Sequence, residues 1–186
     1  MSRRFQMSRI YPLGKIAGLK LSARQSVIPT FLLLWAVLAA ISIWILRLPA
    51  LGVILGSLVA SVLHFLSEFW HQLGHATAAR MTGYPMSGVL FWGPLSTSLY
   101  PPKERKLSAA IHIRRALGGP TASFLLVLAA GILILLFQSI GGTVFWVAVF
   151  FFLDNLFVFT LGNFLPLGFN DGSTLLYWSK QRKTRS

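Results

Sequence analysis

The chain has 186 residues, of which 55% are hydrophobic and only 11% are charged. A soluble domain usually carries about a quarter charged residues, so this composition excludes an ordinary soluble protein and favours a membrane protein. The sequence contains no cysteine, which excludes disulfides and thiolate metal sites.

The N-terminal region, residues 1–26, is basic and largely polar. Within it, residues 10–24 alternate in part between apolar and polar side chains, and Gly14 and Gly18 interrupt any helix. This pattern predicts one or two short strands or an interfacial segment. We do not expect a cleavable signal, because a full-length apolar segment follows without a small-residue cleavage site.

Four segments are apolar and long enough to cross a bilayer, which requires about 20 residues. They are residues 27–46, 51–70, 116–137 and 144–165. The short connection Arg47–Pro49 predicts that the first two form an antiparallel hairpin. We therefore expect an all-α polytopic membrane protein, a single membrane domain over residues 1–186 that ends in a basic tail at 179–186.

The distribution of charge predicts the orientation of these spans. The chain has 17 Lys and Arg against 4 Asp and Glu. All of the basic residues except Arg47 lie before the first span, between the second and third or after the last, whereas the loop 138–143 has no charge. The positive-inside rule then places both termini in the cytoplasm, beside anionic lipid headgroups. Because the basic residues do not share one amphipathic face, we expect no nucleic-acid partner.

The second span ends in a histidine-rich stretch, HFLSEFWHQLGH, at residues 64–75. On a helical wheel His64, Glu68, His71 and His75 share an arc of roughly 60°. His71 and His75 stand at i and i+4, the spacing of the HExxH zinc motif, in which two imidazoles bind the metal. The glutamate that serves as general base in that motif is replaced here by Gln72.

Polar side chains inside a membrane cost free energy, so this face of the helix is a candidate functional site. His64 and Glu68 could instead hydrogen-bond to each other or to the backbone and only fix helix packing. For Glu68 the sequence leaves three roles open: metal ligand, base and structural residue.

Residues 82–102 are too rich in glycine and proline for a long helix. Residues 89–92 and 95–100 predict two short strands around a turn at Gly93 and Pro94. The basic segment 103–115 should lie at the cytoplasmic interface, with His112 on its surface.

In the fourth span Pro166 must break the helix near Gly162. Beyond the break, Asp171 and Gly172 could form a turn or a helix cap. The second and fourth spans end on the same side of the membrane, so Asp171 can also approach the two histidines of the second span. Two histidines and one carboxylate leave a fourth zinc position open for water, which is the catalytic arrangement.

Four segments in this order resemble the site-2 proteases, a family of intramembrane zinc metalloproteases. They are YPLGKIAGLKLSARQSVIPTFLLLW, HQLGHATAARMTGYP, ALGGPTASFLL and GNFLPLGFNDG. The resemblance covers roughly residues 12–178 and implies the family's fold and a zinc cofactor. It also implies that a transmembrane helix of a substrate or partner protein binds in its cleft.

By the same resemblance, His71, His75 and Asp171 are the zinc ligands, with His64 and Ser123 beside them. The strand-like segment would bind an extended substrate by edge addition. The residues expected to contact that substrate are Val89, Leu90, Phe91, Leu95, Thr97, Leu99 and Asn163.

Gln72 departs from the family pattern, because an amide cannot accept a proton at neutral pH. The chain is then a natural pseudoprotease, a protease with another base, or an enzyme inactivated by design. Glu68 could be a substitute base or a fourth ligand that closes the site. The alternative function is that of a non-catalytic membrane subunit that holds a partner's transmembrane helix in the former substrate cleft.

Overall fold

The computed structural model describes residues 9–183. The first eight residues of the basic N-terminal region and residues 184–186 of the tail lie outside the described part of the chain. The described part contains five α-helices and four strands, and two pairs of strands each precede a pair of helices. The helices are α1 (Val27–Trp44), α2 (Ala50–Met81), α3 (Ala109–Phe137), α4 (Gly142–Leu153) and α5 (Asp171–Lys183).

Four helical segments are long and apolar enough to cross a membrane: α1, α2, α3 and the segment Gly142–Phe164 that begins with α4. This confirms the predicted polytopic helical fold. The helices α2 and α3 are longer than the apolar runs within them: α2 continues to Met81, and α3 begins at Ala109. The extra turns carry His71, Gln72, His75 and Arg115, which an apolar-length criterion leaves out.

The helix α4 continues as a π-helical stretch, Asp154–Leu161, and one turn of 3₁₀ helix, Gly162–Phe164. The predicted break is therefore confirmed, since Leu165, the residue before Pro166, is extended. The π-helical stretch has no signal in the sequence. Such stretches are rare and frequently lie at functional sites.

The strands form one sheet in the order β1-β2-β3-β4. Their bounds are Ile10–Ile16, Leu19–Arg24, Gly88–Trp92 and Leu95–Leu99. Strands β2 and β3 are parallel, and the outer pairs are antiparallel. Both predicted strand regions are thus confirmed, and residues 10–24 form two strands.

The inner strands pack on the C-terminal half of α2. Leu19, Val89 and Ala79 are each 0–1% exposed at the centre of this apolar cluster. Burial of such side chains stabilises the contact by about 25 cal/mol per Å² of apolar surface. The packing fixes the sheet beside the histidine-bearing turns.

The helices α2 and α3 approach closely through facing glycines. A Cβ on Gly74 would lie 2.3 Å from the carbonyl oxygen of Gly118, so no larger residue fits without separating the helices. Small residues permit such contacts between membrane helices. This contact brings the histidines of α2 against α3.

Candidate metal centre

The polar face predicted for α2 is buried. His64, Glu68, His71, Gln72 and His75 are only 3–6% exposed. Buried polar groups require partners, because an unpaired one costs about 1–3 kcal/mol. The partners come from α3, α5, β4 and the π-helical stretch.

Three of the predicted site residues converge between α2, α3 and α5. The Nε2 atoms of His71 and His75 lie 3.0 Å apart. The Oδ2 atom of Asp171 lies 3.2 Å from the first of these nitrogens and 3.3 Å from the second. Among the described residues this is the only group of three or more His, Asp or Glu side chains placed to hold a metal ion.

The hydrogen-bond partners of the two Nδ1 atoms bear on which ring nitrogen carries the proton. The Nδ1 atom of His75 lies 2.8 Å from the carbonyl oxygen of Arg115, which can only accept, so Nδ1 carries the proton. The Gly119 N–H lies 3.3 Å from the same nitrogen, but a protonated Nδ1 has no lone pair that could accept from it. The Nδ1 atom of His71 lies 2.9 Å from Ser123 Oγ, which can accept in the same way. His75 thus keeps the Nε2 lone pair for a metal, and His71 keeps its own when Ser123 accepts from Nδ1, which is the arrangement that metal-binding histidines usually have.

The geometry of the three ligand atoms fits a metal ion. Tetrahedral zinc, with bonds of about 2.0–2.1 Å, sets its ligand atoms about 3.3 Å apart. The observed separations are 3.0–3.3 Å, and Asp171 Oδ2 is buried and accepts no hydrogen bond. When both imidazoles carry their proton on Nδ1, these three atoms are all acceptors, and they repel one another unless a cation lies between them.

A glycine leaves room for that ion. A Cβ on Gly119 would lie 2.3 Å from His75 Nε2 and 2.4 Å from His71 Nε2. The space in front of the ligand atoms is thus kept open by the absence of a side chain on α3.

Asp171 reaches the histidines because the fourth span is broken. It is the first residue of α5, so the predicted helix terminus at Asp171 and Gly172 is also present. A Cβ on Gly172 would lie 2.4 Å from the carbonyl oxygen of Phe164, which requires glycine at this contact.

The side chain of Gln72 forms hydrogen bonds with two neighbours, Ser98 and Glu68. The Ser98 hydroxyl donates to Gln72 Oε1 over 2.7 Å, and Gln72 Nε2 donates to Glu68 Oε1 over 3.4 Å. The same Glu68 oxygen accepts from the backbone N–H of Ser96 over 2.8 Å and from its hydroxyl. The structure thus places Glu68 against β4, outside the group of three ligands.

His64 lies about two turns of α2 before the first ligand, His71, in a separate cluster. Its Nδ1 atom is 3.1 Å from both carboxylate oxygens of Asp154, and its Nε2 atom is 2.9 Å from the carbonyl oxygen of Pro94. Of the two residues expected beside the ligands, Ser123 contacts His71, whereas His64 contacts Asp154 and Pro94 instead. A histidine facing a carboxylate gives no signal when the two lie on different spans, as these do.

Only part of the segment 89–100, which was predicted to bind a substrate strand, has a free backbone edge. Strand β3 pairs with β2 on one side and β4 on the other, so Val89, Leu90 and Phe91 have no free backbone edge. Val89 and Phe91 point into the apolar core, at 0% and 9% exposure. Edge addition by these three residues is therefore excluded, and only β4 can offer a free edge towards the centre.

The ligands open into a cavity of about 390 Å³. Its lining includes Leu95, Thr97 and Asn163 from the predicted substrate contacts, whereas Leu99 is not part of it. The rings of Trp92 and Phe169 meet edge to face across the cavity wall, with centroids 6.5 Å apart. The cavity thus joins β4, α5 and the broken end of the fourth span.

Two residues of the basic segment 103–115 are withdrawn from the surface, which corrects the prediction made for His112. His112 is half-buried, lines the cavity and stacks on Trp178 of α5, with ring centroids 4.0 Å apart. Arg115 is 4% exposed and forms an ion pair with Glu104 at 2.5 Å. Its carbonyl also holds His75, so Arg115 links the centre to the loop before α3.

These observations define a polytopic membrane protein in which a small mixed sheet lies beside a buried His–His–Asp group. In a comparison with solved structures, the chain is similar to the site-2 protease from Methanocaldococcus jannaschii, with a TM-score of 0.61 and 20% sequence identity. The similarity covers 94% of this chain and 73% of that one. It confirms the predicted resemblance at the level of the fold. No protein-family model and no curated protein sequence matches the chain.

Proposed function

We propose that this chain is a site-2-protease-like intramembrane metalloprotease homologue with one zinc ion at His71, His75 and Asp171, and that Gln72 impairs its hydrolytic activity. The observation that carries the proposal is the convergence of two imidazole Nε2 atoms and one carboxylate oxygen within 3.3 Å. The similarity of the fold to a site-2 protease supports it.

Zinc bound there would act as a Lewis acid towards a peptide carbonyl and lower the pKa of a bound water. The chain's own residues orient the ligands: Arg115 and Ser123 hold the two imidazoles by their Nδ1 atoms. Position 72 offers an amide where the resemblance implies a general base. Loss of such a base lowers the rate by about 10²- to 10⁴-fold.

Metal analysis tests the centre without requiring activity. We expect purified protein to hold about one zinc per chain, the number that one three-ligand site can bind. His71→Ala and Asp171→Ala should lose most of it. His112→Ala is the matched control, because this histidine lines the same cavity and lies outside the ligand group. Equal zinc in all four proteins would contradict the proposal.

Cleavage of a helix-destabilised transmembrane substrate tests the impairment. The Gln72→Glu variant should cleave faster than the parent, by about 10²-fold or more if the rest of the site is intact. If Glu68 serves as base, the parent itself cleaves and Glu68→Gln abolishes that activity. A parent with zinc and full activity that Glu68→Gln leaves unchanged would contradict the impairment.

The second candidate is a non-catalytic subunit that holds a partner's transmembrane helix in the cleft. The engagement of both Gln72 and Glu68 with β4 favours it, because neither side chain is directed at the ligand group. Zinc binding without cleavage by either the parent or Gln72→Glu would support this function. Cleavage by the parent would exclude it.

We also propose that both termini are cytoplasmic and that the basic regions contact anionic headgroups. The asymmetry of basic residues around the four spans supports this orientation. A C-terminal tag should resist protease added outside intact cells. Cleavage of the tag from outside would reverse the assignment.

A further inference from the structure

Three polar side chains of α2 contact the turn residue Pro94 and the following strand β4 in matched steps. The pairs are His64 with the Pro94 carbonyl oxygen at 2.9 Å, Glu68 with the Ser96 N–H at 2.8 Å, and Gln72 with the Ser98 hydroxyl at 2.7 Å. Four helical residues advance about 6 Å, and two strand residues advance about 6.6–6.8 Å. Because these steps nearly agree, β4 can run alongside α2 with one bonded pair at each step.

The pairing of β4 with β3 shows which of its backbone groups are free. The hairpin closes at Trp92 and Leu95 around a two-residue turn, so Ser96 stands opposite Phe91 and Ser98 opposite Val89. In an antiparallel pair, hydrogen-bonded and non-hydrogen-bonded positions alternate. The N–H of Ser96 does not bond to β3, since it donates to Glu68. By the alternation, the backbone of Ser98 also faces the outer edge.

We propose that Glu68 and Gln72 are positioning residues that clamp β4 along α2, and that Glu68 occupies the backbone donor of Ser96 that an added strand would use. The clamp itself follows from the contacts of α2 and β4. The competition with an added strand rests on the proposed function, in which an extended segment pairs with the edge of β4.

The clamp requires an amide at position 72. Gln72 accepts from Ser98 and donates to Glu68 at the same time, whereas an ionised carboxylate can only accept. Gln72→Glu therefore removes a donor from Glu68 and sets two carboxylates one turn apart on a buried face. Exchange of the two residues, Glu68→Gln with Gln72→Glu, keeps a donor between them and an acceptor for each serine.

Residue-resolved hydrogen–deuterium exchange of the protein in detergent micelles tests the clamp. The Ser96 amide should be protected in the parent, and Glu68→Ala should raise its exchange rate at least about tenfold, the effect of a lost hydrogen bond to a charged group. Glu68→Gln keeps the acceptor and should restore most of the protection. Gln72→Glu should raise the rate, and the exchanged double variant should lower it again.

The Thr97 amide is the internal control, because Thr97 lies opposite Leu90 at a position that bonds to β3. Its exchange should stay the same in all variants. Unchanged Ser96 exchange in Glu68→Ala would overturn the clamp. Zinc measured in the same samples separates the two proposals, since a clamp without zinc refutes only the proposed function.

A second measurement serves if Glu68→Ala does not fold. The chain has no cysteine, so Leu99→Cys can carry a single nitroxide label at the end of β4. Ser98→Ala should increase the mobility of this label, while the same label at Leu13→Cys on β1, the opposite edge, should not change. Identical spectra with and without Ser98→Ala would overturn the contribution of Gln72.

Discussion

Replacement of Gly119 by alanine should empty the metal centre without unfolding the protein. The new Cβ would lie 2.3 Å and 2.4 Å from the two ligand nitrogens of His75 and His71, where ordinary contacts begin at 3.4 Å. The rings would have to retreat by about 1 Å, whereas a metal site tolerates ligand distances within about ±0.2 Å. We therefore expect the zinc content of Gly119→Ala to fall from about one per chain to near zero.

The matched control is Gly131→Ala on the same helix. A Cβ there would make only ordinary contact, 3.7 Å from the ring of Phe152. Alanine also favours a helix over glycine by about 1 kcal/mol, so helix propensity does not destabilise either variant. Zinc content by mass spectrometry and the absorption of a cobalt-substituted sample report on the centre, and thermal unfolding reports on the fold. Full zinc content in Gly119→Ala would refute the position of the ion between α2 and α3.

Three further predictions follow from the partners of the site. Ser123→Ala removes the group that orients His71 and should weaken zinc affinity about 10- to 100-fold, measured by chelator competition; an unchanged affinity would contradict the orienting role. His64→Leu leaves Asp154 buried without its partner and should cost about 3–5 kcal/mol of stability, and the double variant that also carries Asp154→Leu should recover part of this loss. The hydrogen bond from Arg115 holds the pKa of the Glu104 carboxyl below its usual range. The ion pair therefore contributes its full stability when the pH is above the usual pKa of a glutamate, and this contribution is lost as the pH falls through the lowered pKa. Glu104→Gln should therefore flatten the acid limb of the melting temperature, and an unaltered limb would exclude this pair as its cause.

The parts of the fold that depend on local periodicity could be predicted from the sequence. Apolar length located the four spans, and glycine and proline located the hairpin turn at residues 93–94. The i, i+4 spacing of His71 and His75 placed them together, because a helix fixes the relation of such residues. The approach of Asp171 followed from counting the crossings of the membrane.

Contacts between elements could not be predicted in this way. The pairing of His64 with Asp154 depends on the rotation of two spans about their axes, and the π-helical stretch changes that rotation for the second one. The burial of Arg115 contradicts the ordinary preference of arginine for the surface, and it depends on Glu104, which lies in a loop. No periodicity in either segment encodes these partners.

Gln72 illustrates the same limit at the site itself. The motif alone presents it as a missing carboxylate, whereas the structure gives its amide both an acceptor, Glu68, and a donor, Ser98. Two carboxylates at positions 68 and 72 would repel across the same 3.4 Å contact. The acid one turn earlier and the amide at 72 are therefore a matched pair. Comparing Gln72→Glu with the exchange of both residues separates the effect of a carboxylate at position 72 from the effect of the lost donor to Glu68.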